Sequence, residues 1–254
     1  MLLHLQPGII YGPVRSRRLG RSLGINILPA RRKVCSFNCL YCQYGLEESR
    51  TPLEAGTAGF PSPDRVLEAV EQALINLNPP PAYMTFSGNG EATLHPRFRE
   101  IVTGVREIRD RLAPGAKTAI LSNSTTVNNP HIREALALLD VRIMKLDAGT
   151  EEMFVHFNRP ARGITLKDTV AGLAAMEKVT IQSLFCKGVD GNYFPGHLAA
   201  WVEQIKTISP IFVQIYSLDR ESPTVSLVPL EKSELEQIRS LLEREHISAE
   251  VFGR

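Results

Sequence analysis

Short apolar runs rich in β-branched residues alternate along this chain with longer runs whose apolar side chains recur every three to four positions. The first pattern suits buried strands and the second amphipathic helices, so the alternation predicts βαβ units around a parallel sheet. Strands are expected over 21–28 (RSLGINIL), 82–87 (AYMTFS), 117–122 (KTAILS), 141–146 (VRIMKL), 179–185 (VTIQSLF) and 211–217 (IFVQIYS). Helices are expected over 63–77, 97–112, 130–139, 165–177, 195–208 and 231–245. Ser62 ahead of Pro63 and Asp64 reads as an N-cap with proline at the first helical position, and Ser233 with Glu236 three residues on reads as a capping pair. AEVF at 249–252 reads as a possible edge strand. Right-handed crossovers curl such a sheet toward a barrel, and there are too few strands for eight units. The expected fold is therefore α/β, a partial (β/α)6 TIM-like barrel whose working face lies at the carboxyl ends of its strands.

Length and composition sharpen this only a little. A chain of 254 residues, with 43% hydrophobic and 22% charged residues, is expected to form a single domain over 1–254. Residues 1–20 would form an N-terminal arm, and 231–254 a C-terminal helix with its edge strand. A net charge of +2 neither demands nor excludes a nucleic-acid partner. With no secretory leader and no apolar run of membrane length, the expected location is the cytoplasm, with no membrane partner. Reducing conditions there argue against disulfides and point the four cysteines toward metal.

Three of those cysteines, Cys35, Cys39 and Cys42, stand in CSFNCLYCQ after the first expected strand, spaced C-x3-C-x2-C. Thiolates so close can each take one iron of a cubane. A structural zinc would want a fourth nearby Cys or His, and the four-cysteine ferredoxin spacings are absent. A four-iron cluster here would leave one iron to a small-molecule ligand. Zinc completed by a distant residue is the alternative.

The other strand ends carry polar groups. FSGNGEATLHP (86–96) places Gly88, Asn89, Gly90 and Glu91 after the second strand, where glycine permits close approach and a carboxylate accepts from an ammonium. LSNST (121–125) offers Ser122 and Asn123, suited to a ribose or a carboxylate. IMKLDAG (143–149) puts Lys145 and Asp147 on one side of the fourth strand. Gln182, Leu184 and Cys186 share a face of the fifth strand, as do Gln214 and Tyr216 on the sixth. Cys186 is either a small buried hydrophobe or a hydrogen-atom donor. Arg15, Arg17, Arg18 and Arg21 approach the first strand and form either a phosphate-seeking patch or a solvated turn.

The cysteine loop, with Tyr41 before its last cysteine, resembles the signature of the radical S-adenosylmethionine (SAM) superfamily, and GNGE resembles that superfamily's glycine-glycine-glutamate motif, with Ala92 where a proline is usual. Together with FNRPARG (157–163) and VQIYSLDR (213–220), the chain is similar to a bacterial and archaeal branch grouped with wyosine synthase-like Fe-S oxidoreductases, although Cys42-Gln43-Tyr44 lacks their Cys-Trp-Arg ending. The resemblance implies a 4Fe-4S cluster on Cys35, Cys39 and Cys42 and SAM chelating the fourth iron. It places Gly88, Asn89, Gly90 and Glu91 at the SAM amino group and Ser122, Asn123 and Lys145 at its ribose and carboxylate. Tyr41 would lie near the adenine, with Asp147 and Gln214 within reach of cofactor or substrate. It also implies an electron donor such as flavodoxin or ferredoxin. The expected activity is reductive cleavage of SAM to a 5′-deoxyadenosyl radical that abstracts a substrate hydrogen. Activation of a glycyl-radical protein, or modification of a nucleoside or tRNA, would each fit. A non-enzymatic alternative is an iron–sulfur electron carrier or zinc-stabilised binding protein.

Overall fold

In a computed structural model, which describes residues 2–47, 51 and 59–253, the six expected strands lie side by side in sequence order. In chain order the elements are β1 (Ile10–Ser16), β2 (Gly20–Ile25), α1 (Pro63–Asn76), β3 (Tyr83–Phe86), α2 (Phe98–Leu112), β4 (Lys117–Ser122), α3 (Pro130–Ala137), β5 (Val141–Lys145) and α4 (Glu151–Met153). They continue with α5 (Leu166–Ala174), β6 (Thr180–Leu184), β7 (Cys186–Lys187), α6 (Pro195–Ile208), β8 (Phe212–Tyr216), β9 (Val228–Pro229), α7 (Lys232–Arg244) and β10 (Ala249–Phe252). One eight-stranded sheet runs β1-β2-β3-β4-β5-β6-β8-β10. Every pairing in it is parallel except β1 with β2. The sheet curls into a half-barrel, the partial TIM-like architecture expected.

Alternation along the strands decides which side chains meet the helices. Met84, Phe86, Ile120, Met144, Ile181, Val213 and Ile215 are fully buried. They share one core with Val66 and Val70 of α1, Ile101 and Val105 of α2, and Trp201 of α6. Burying each such side chain stabilises the fold by about 1.5–3 kcal/mol. Trp201 also donates its indole N–H to the Leu146 carbonyl and the Ser183 hydroxyl, both at 3.1 Å, so α6 is fixed against β6 by polar as well as apolar contacts.

AEVF pairs in parallel with β8 as the expected edge strand. The chain departs from the sequence reading in its arm and in one helix cap: the arm carries β1, an antiparallel partner for β2. The β1–β2 turn tucks Leu19 into a small apolar cluster with Ala119 and Ile143, separate from the main core. Two of the arm's arginines reach β8 and the segment after it: Arg17 pairs with Asp219 at 2.7 Å, and the Arg18 guanidinium lies 4.6 Å from the centre of the Tyr216 ring. The cap of α7 is Glu231 with Glu234, two residues before the expected Ser233 and Glu236. A carboxylate at Glu231 accepts from the first-turn N–H while Glu234 accepts from the cap N–H, so the same reciprocal bonding starts earlier. Ser62 caps α1 as expected, accepting from Arg65 N at 3.4 Å. Among the described residues no helix is long and apolar enough to cross a membrane.

Candidate functional site

The cysteine loop follows β2 and is held from two sides. On one side the strand-like stretch before it bonds to the turn after β3: Val34 N donates to Asn89 O at 2.9 Å, and Glu91 N to Val34 O at 2.8 Å. That contact needs Gly90, which has φ +136°, and a Cβ there would lie 2.0 Å from the Val34 carbonyl oxygen. Gly88, at φ +138°, faces Asn26 in the same way, with a Cβ 2.6 Å from its amide oxygen. On the other side Asn38 N donates to the carbonyls of Asn158 and Arg159, and Leu40 N to Phe157 O. The FNRPARG segment is therefore the second wall of the loop, reached through a π-helical turn over Phe154–Asn158 and the left-handed Arg159.

Within this frame the sulfur of each of the three loop cysteines receives one side-chain N–H. Asn123 Nδ2 lies 3.5 Å from Cys35 Sγ, Asn158 Nδ2 lies 3.5 Å from Cys39 Sγ, and Lys33 Nζ lies 3.7 Å from Cys42 Sγ. Burial pushes the Cys35 thiol far above its ordinary pKa, with the neighbouring Cys39 and Glu91 adding to the shift. Burial, then Asp147, pushes Cys39 up to about 12. Buried thiols that resist ionisation but are surrounded by donors suit a positively charged metal group, which favours thiolates and gives the donors an anion. Among the described residues no three His, Cys, Asp or Glu side chains converge as the ligands of one ion. A multi-iron cluster spreads its thiolates over separate metals rather than gathering them on one ion.

Glu91 is buried, 1% exposed, and its carboxylate accepts four protein donors. Thr93 N (3.0 Å), Thr93 Oγ1 (2.6 Å) and Ser122 Oγ (3.0 Å) meet Oε1, while Asn123 N (2.5 Å) meets Oε2. Burial raises its pKa, and these donors pull the other way. Glu91 thus ties the β3 turn to the β4 turn and sets Asn123, whose amide reaches Cys35. Asn89 is equally committed: its side chain bonds Gln6 N and O and Pro29 O.

Asp147, 1% exposed, is a second hub. It accepts from the Tyr41 hydroxyl, Asn158 Nδ2 (2.8 Å), Leu184 N (2.8 Å) and Lys145 Nζ (3.2 Å). Lys145 also donates to the Tyr216 hydroxyl and lies between two rings, 4.9 Å from the centre of Tyr41 and 4.8 Å from that of Tyr216. Burial would lower the Lys145 pKa, but Asp147 and then Tyr216 reverse this and raise it, so the ammonium is held charged. Gln214 accepts from Gln182 Nε2 at 3.1 Å on the inner face. Cys186 is fully buried within the main core, and burial pushes its thiol up to about 12. It has the surroundings of a small apolar side chain.

The structure thus gathers the sequence-derived residues into two linked groups. Glu91, Ser122 and Asn123 sit against Cys35, and Tyr41, Lys145 and Asp147 against Cys39, while the Asn89 amide turns toward the amino-terminal segment. Lys33, Thr93 and Asn158 are participants the sequence reading did not name. Thr93 and Asn158 left a trace, within the quoted FSGNGEATLHP and FNRPARG segments, and Lys33 left none.

The sequence model of the radical SAM superfamily matches residues 33–192, more than half of the chain. The chain belongs to that superfamily and is a radical SAM enzyme, which implies an iron–sulfur cluster and SAM binding. A UPF0026 protein, slr1464, of Synechocystis is 32% identical over 220 residues, covering 84% of this chain and 77% of the relative. A protein of Brachyspira hyodysenteriae named GTPase Obg is 28% identical over 239 residues, 92% of this chain, but this chain spans only 33% of its length. A radical SAM methyltransferase from Sphaerobacter thermophilus shares the fold at a TM-score of 0.67 and 13% identity, over 91% of this chain and 66% of that one.

Proposed function

We propose that the chain binds one 4Fe-4S cluster through Cys35, Cys39 and Cys42 and uses SAM at the open iron, acting as a unit over 1–254 in the cytoplasm. The observation that carries this reading is the set of three loop sulfurs, each met by its own side-chain N–H. When bound, such a cluster supplies the electron that splits SAM into methionine and a 5′-deoxyadenosyl radical, which takes hydrogen from the substrate. The protein's part is to hold, orient and shield.

In this proposal the turn at Gly88 and Gly90 presents its backbone to the SAM amino group, and Glu91 and Asn89, both saturated by protein partners, keep that turn in shape. Ser122 and Asn123 face the ribose. Lys145, fixed by Asp147 and Tyr216, offers the cationic partner for the SAM carboxylate, and Tyr41 lies against the adenine. Gln182 and Gln214 line the barrel toward the substrate. Electrons come from a flavodoxin or ferredoxin. The substrate is a glycyl-radical protein awaiting activation, or a nucleoside or tRNA.

Anaerobic reconstitution tests the reading. It expects about four irons and four sulfides per chain. The cluster spectrum should change on adding SAM, and 5′-deoxyadenosine should form slowly with reductant. Stoichiometric zinc and indifference to SAM would instead identify a zinc-stabilised binding protein. A full cluster without SAM response would identify an electron carrier.

A further inference from the structure

Lys33 is 5% exposed, and its ammonium has three acceptors: Gly45 O at 2.8 Å, Asn38 Oδ1 at 3.4 Å and Cys42 Sγ at 3.7 Å. Among the described residues no carboxylate lies within ion-pair distance of it. A buried ammonium is costly unless an opposite charge compensates it, and a carbonyl and an amide supply only dipoles. The remaining acceptor is a cluster-cysteine sulfur. The other two cluster sulfurs also receive N–H groups, from Asn123 and Asn158, but these are neutral amides. The direct donors to the sulfurs are therefore asymmetric, amides at Cys35 and Cys39 and an ammonium at Cys42.

We infer that Lys33 is a positioning and charge-compensating residue for the cluster, and that its ammonium raises the cluster's reduction potential. The inference rests on the cluster assignment made above. Each one-electron reduction adds one negative charge to a group that already carries anionic sulfurs. A fixed positive charge beside Cys42 therefore favours the reduced form over the oxidised one. A neutral N–H in its place would keep a hydrogen bond and lose this preference. The same geometry orients the loop: Asn38 Oδ1, which meets Lys33, also accepts from Glu47 N at 3.0 Å, and Asn38 Nδ2 donates to Glu47 O at 2.7 Å. Lys33 thus joins both the sulfur and the backbone downstream of Cys42.

The size of the effect follows from distance and medium. Unit charges several Å apart at an effective dielectric of about 20 interact by more than the energy of one tenfold change in an equilibrium. Replacing Lys33 by Met should lower the cluster's reduction equilibrium constant at least tenfold, which is about 59 mV for one electron. Lys33→Arg, which keeps the charge, should stay within a third of that shift. Asn158→Leu, which removes a dipole from Cys39, should move the potential in the same direction but by less than Lys33→Met.

The test is potentiometric titration of the full-length, anaerobically reconstituted protein without SAM, followed by electron paramagnetic resonance of the reduced cluster. Iron and sulfide content of each sample is measured first. A wild-type protein that holds no iron–sulfur cluster fails the proposed function. A fully loaded Lys33→Met protein with an unchanged midpoint leaves that function standing and overturns this inference. Should Lys33→Met load poorly, the wild-type protein labelled with 15N-lysine decides: pulsed spectra of the reduced cluster must show weak coupling to a lysine nitrogen that Lys33→Arg loses. Its absence overturns the inference.

Discussion

Replacing Gly90 by alanine places one methyl group where two backbones meet. The Cβ would lie 2.0 Å from the Val34 carbonyl oxygen and 2.5 Å from its carbon, at a φ of +136°. Neither obstacle is the end of a flexible side chain, so relief requires one backbone to move. The left-handed backbone costs an L residue about 1–3 kcal/mol, and overpacking adds about 1–3 kcal/mol. A total loss of about 2–6 kcal/mol is expected, read as a shift of the urea midpoint without a change in slope. The movement falls on Val34, whose neighbour Cys35 is the first of the proposed cluster ligands, so iron retention should fall along with stability. Gly115→Ala is the control, because nothing lies within 4 Å of its added Cβ and no left-handed φ is involved. If Gly90→Ala unfolds at the wild-type urea midpoint and retains wild-type iron, the Val34–Gly90 contact does not position the cysteine loop.

Asp147→Asn should destabilise the protein by about 3–5 kcal/mol, because it leaves the buried Lys145 ammonium without its carboxylate, and chemical denaturation measures this directly. Glu91→Gln should reduce iron retention more than a surface Glu→Gln change, since one of four donors to the carboxylate would then face an NH2 group, and iron content at equal folded protein is the readout. Cys186 gives a pH signature. Its folded pKa is about 12 against an ordinary value of 9.0, so its contribution is complete below pH 9 and is lost as pH rises toward 12. Above pH 9, wild-type stability should therefore fall more steeply than that of Cys186→Ala, and parallel urea midpoints from pH 8 to about 10.5 would contradict the assignment.

The strands and helices were legible because short apolar runs of strand length alternate with longer runs of helical period. In β4, for example, both faces are buried: Ile120 joins the main core while Ala119 meets the Leu19 cluster. β1 escaped notice because IYGPVRS carries a glycine and a proline mid-run, which read as turn rather than strand. The cysteine spacing and the polar strand ends exposed the chemistry of the site, because those positions break an otherwise apolar pattern. The partners of the sulfurs were hidden for a different reason. Asn158 stands 119 residues from Cys39 and Asn123 stands 88 from Cys35, and no local period reports where a side-chain amide will arrive after folding. Lys33 was close in sequence, yet a lysine beside two arginines reads as a solvated run until its burial is known. Glu91 shows the limit of reading a motif by residue type alone: its carboxylate is spent on Thr93, Ser122 and Asn123 inside the protein.

The turn between β1 and β2 gives the half-barrel a floor. Leu19 fills the space beside Ala119 and Ile143, and Arg17 fastens the first edge of the sheet to the segment beyond β8. A molecule bound over Lys145 and Tyr216 is then backed by hydrocarbon and by a clasp of opposite charges. Solvent arriving from that end meets a stopper, which leaves the rim above the strands as the approach to Lys145 and Tyr216.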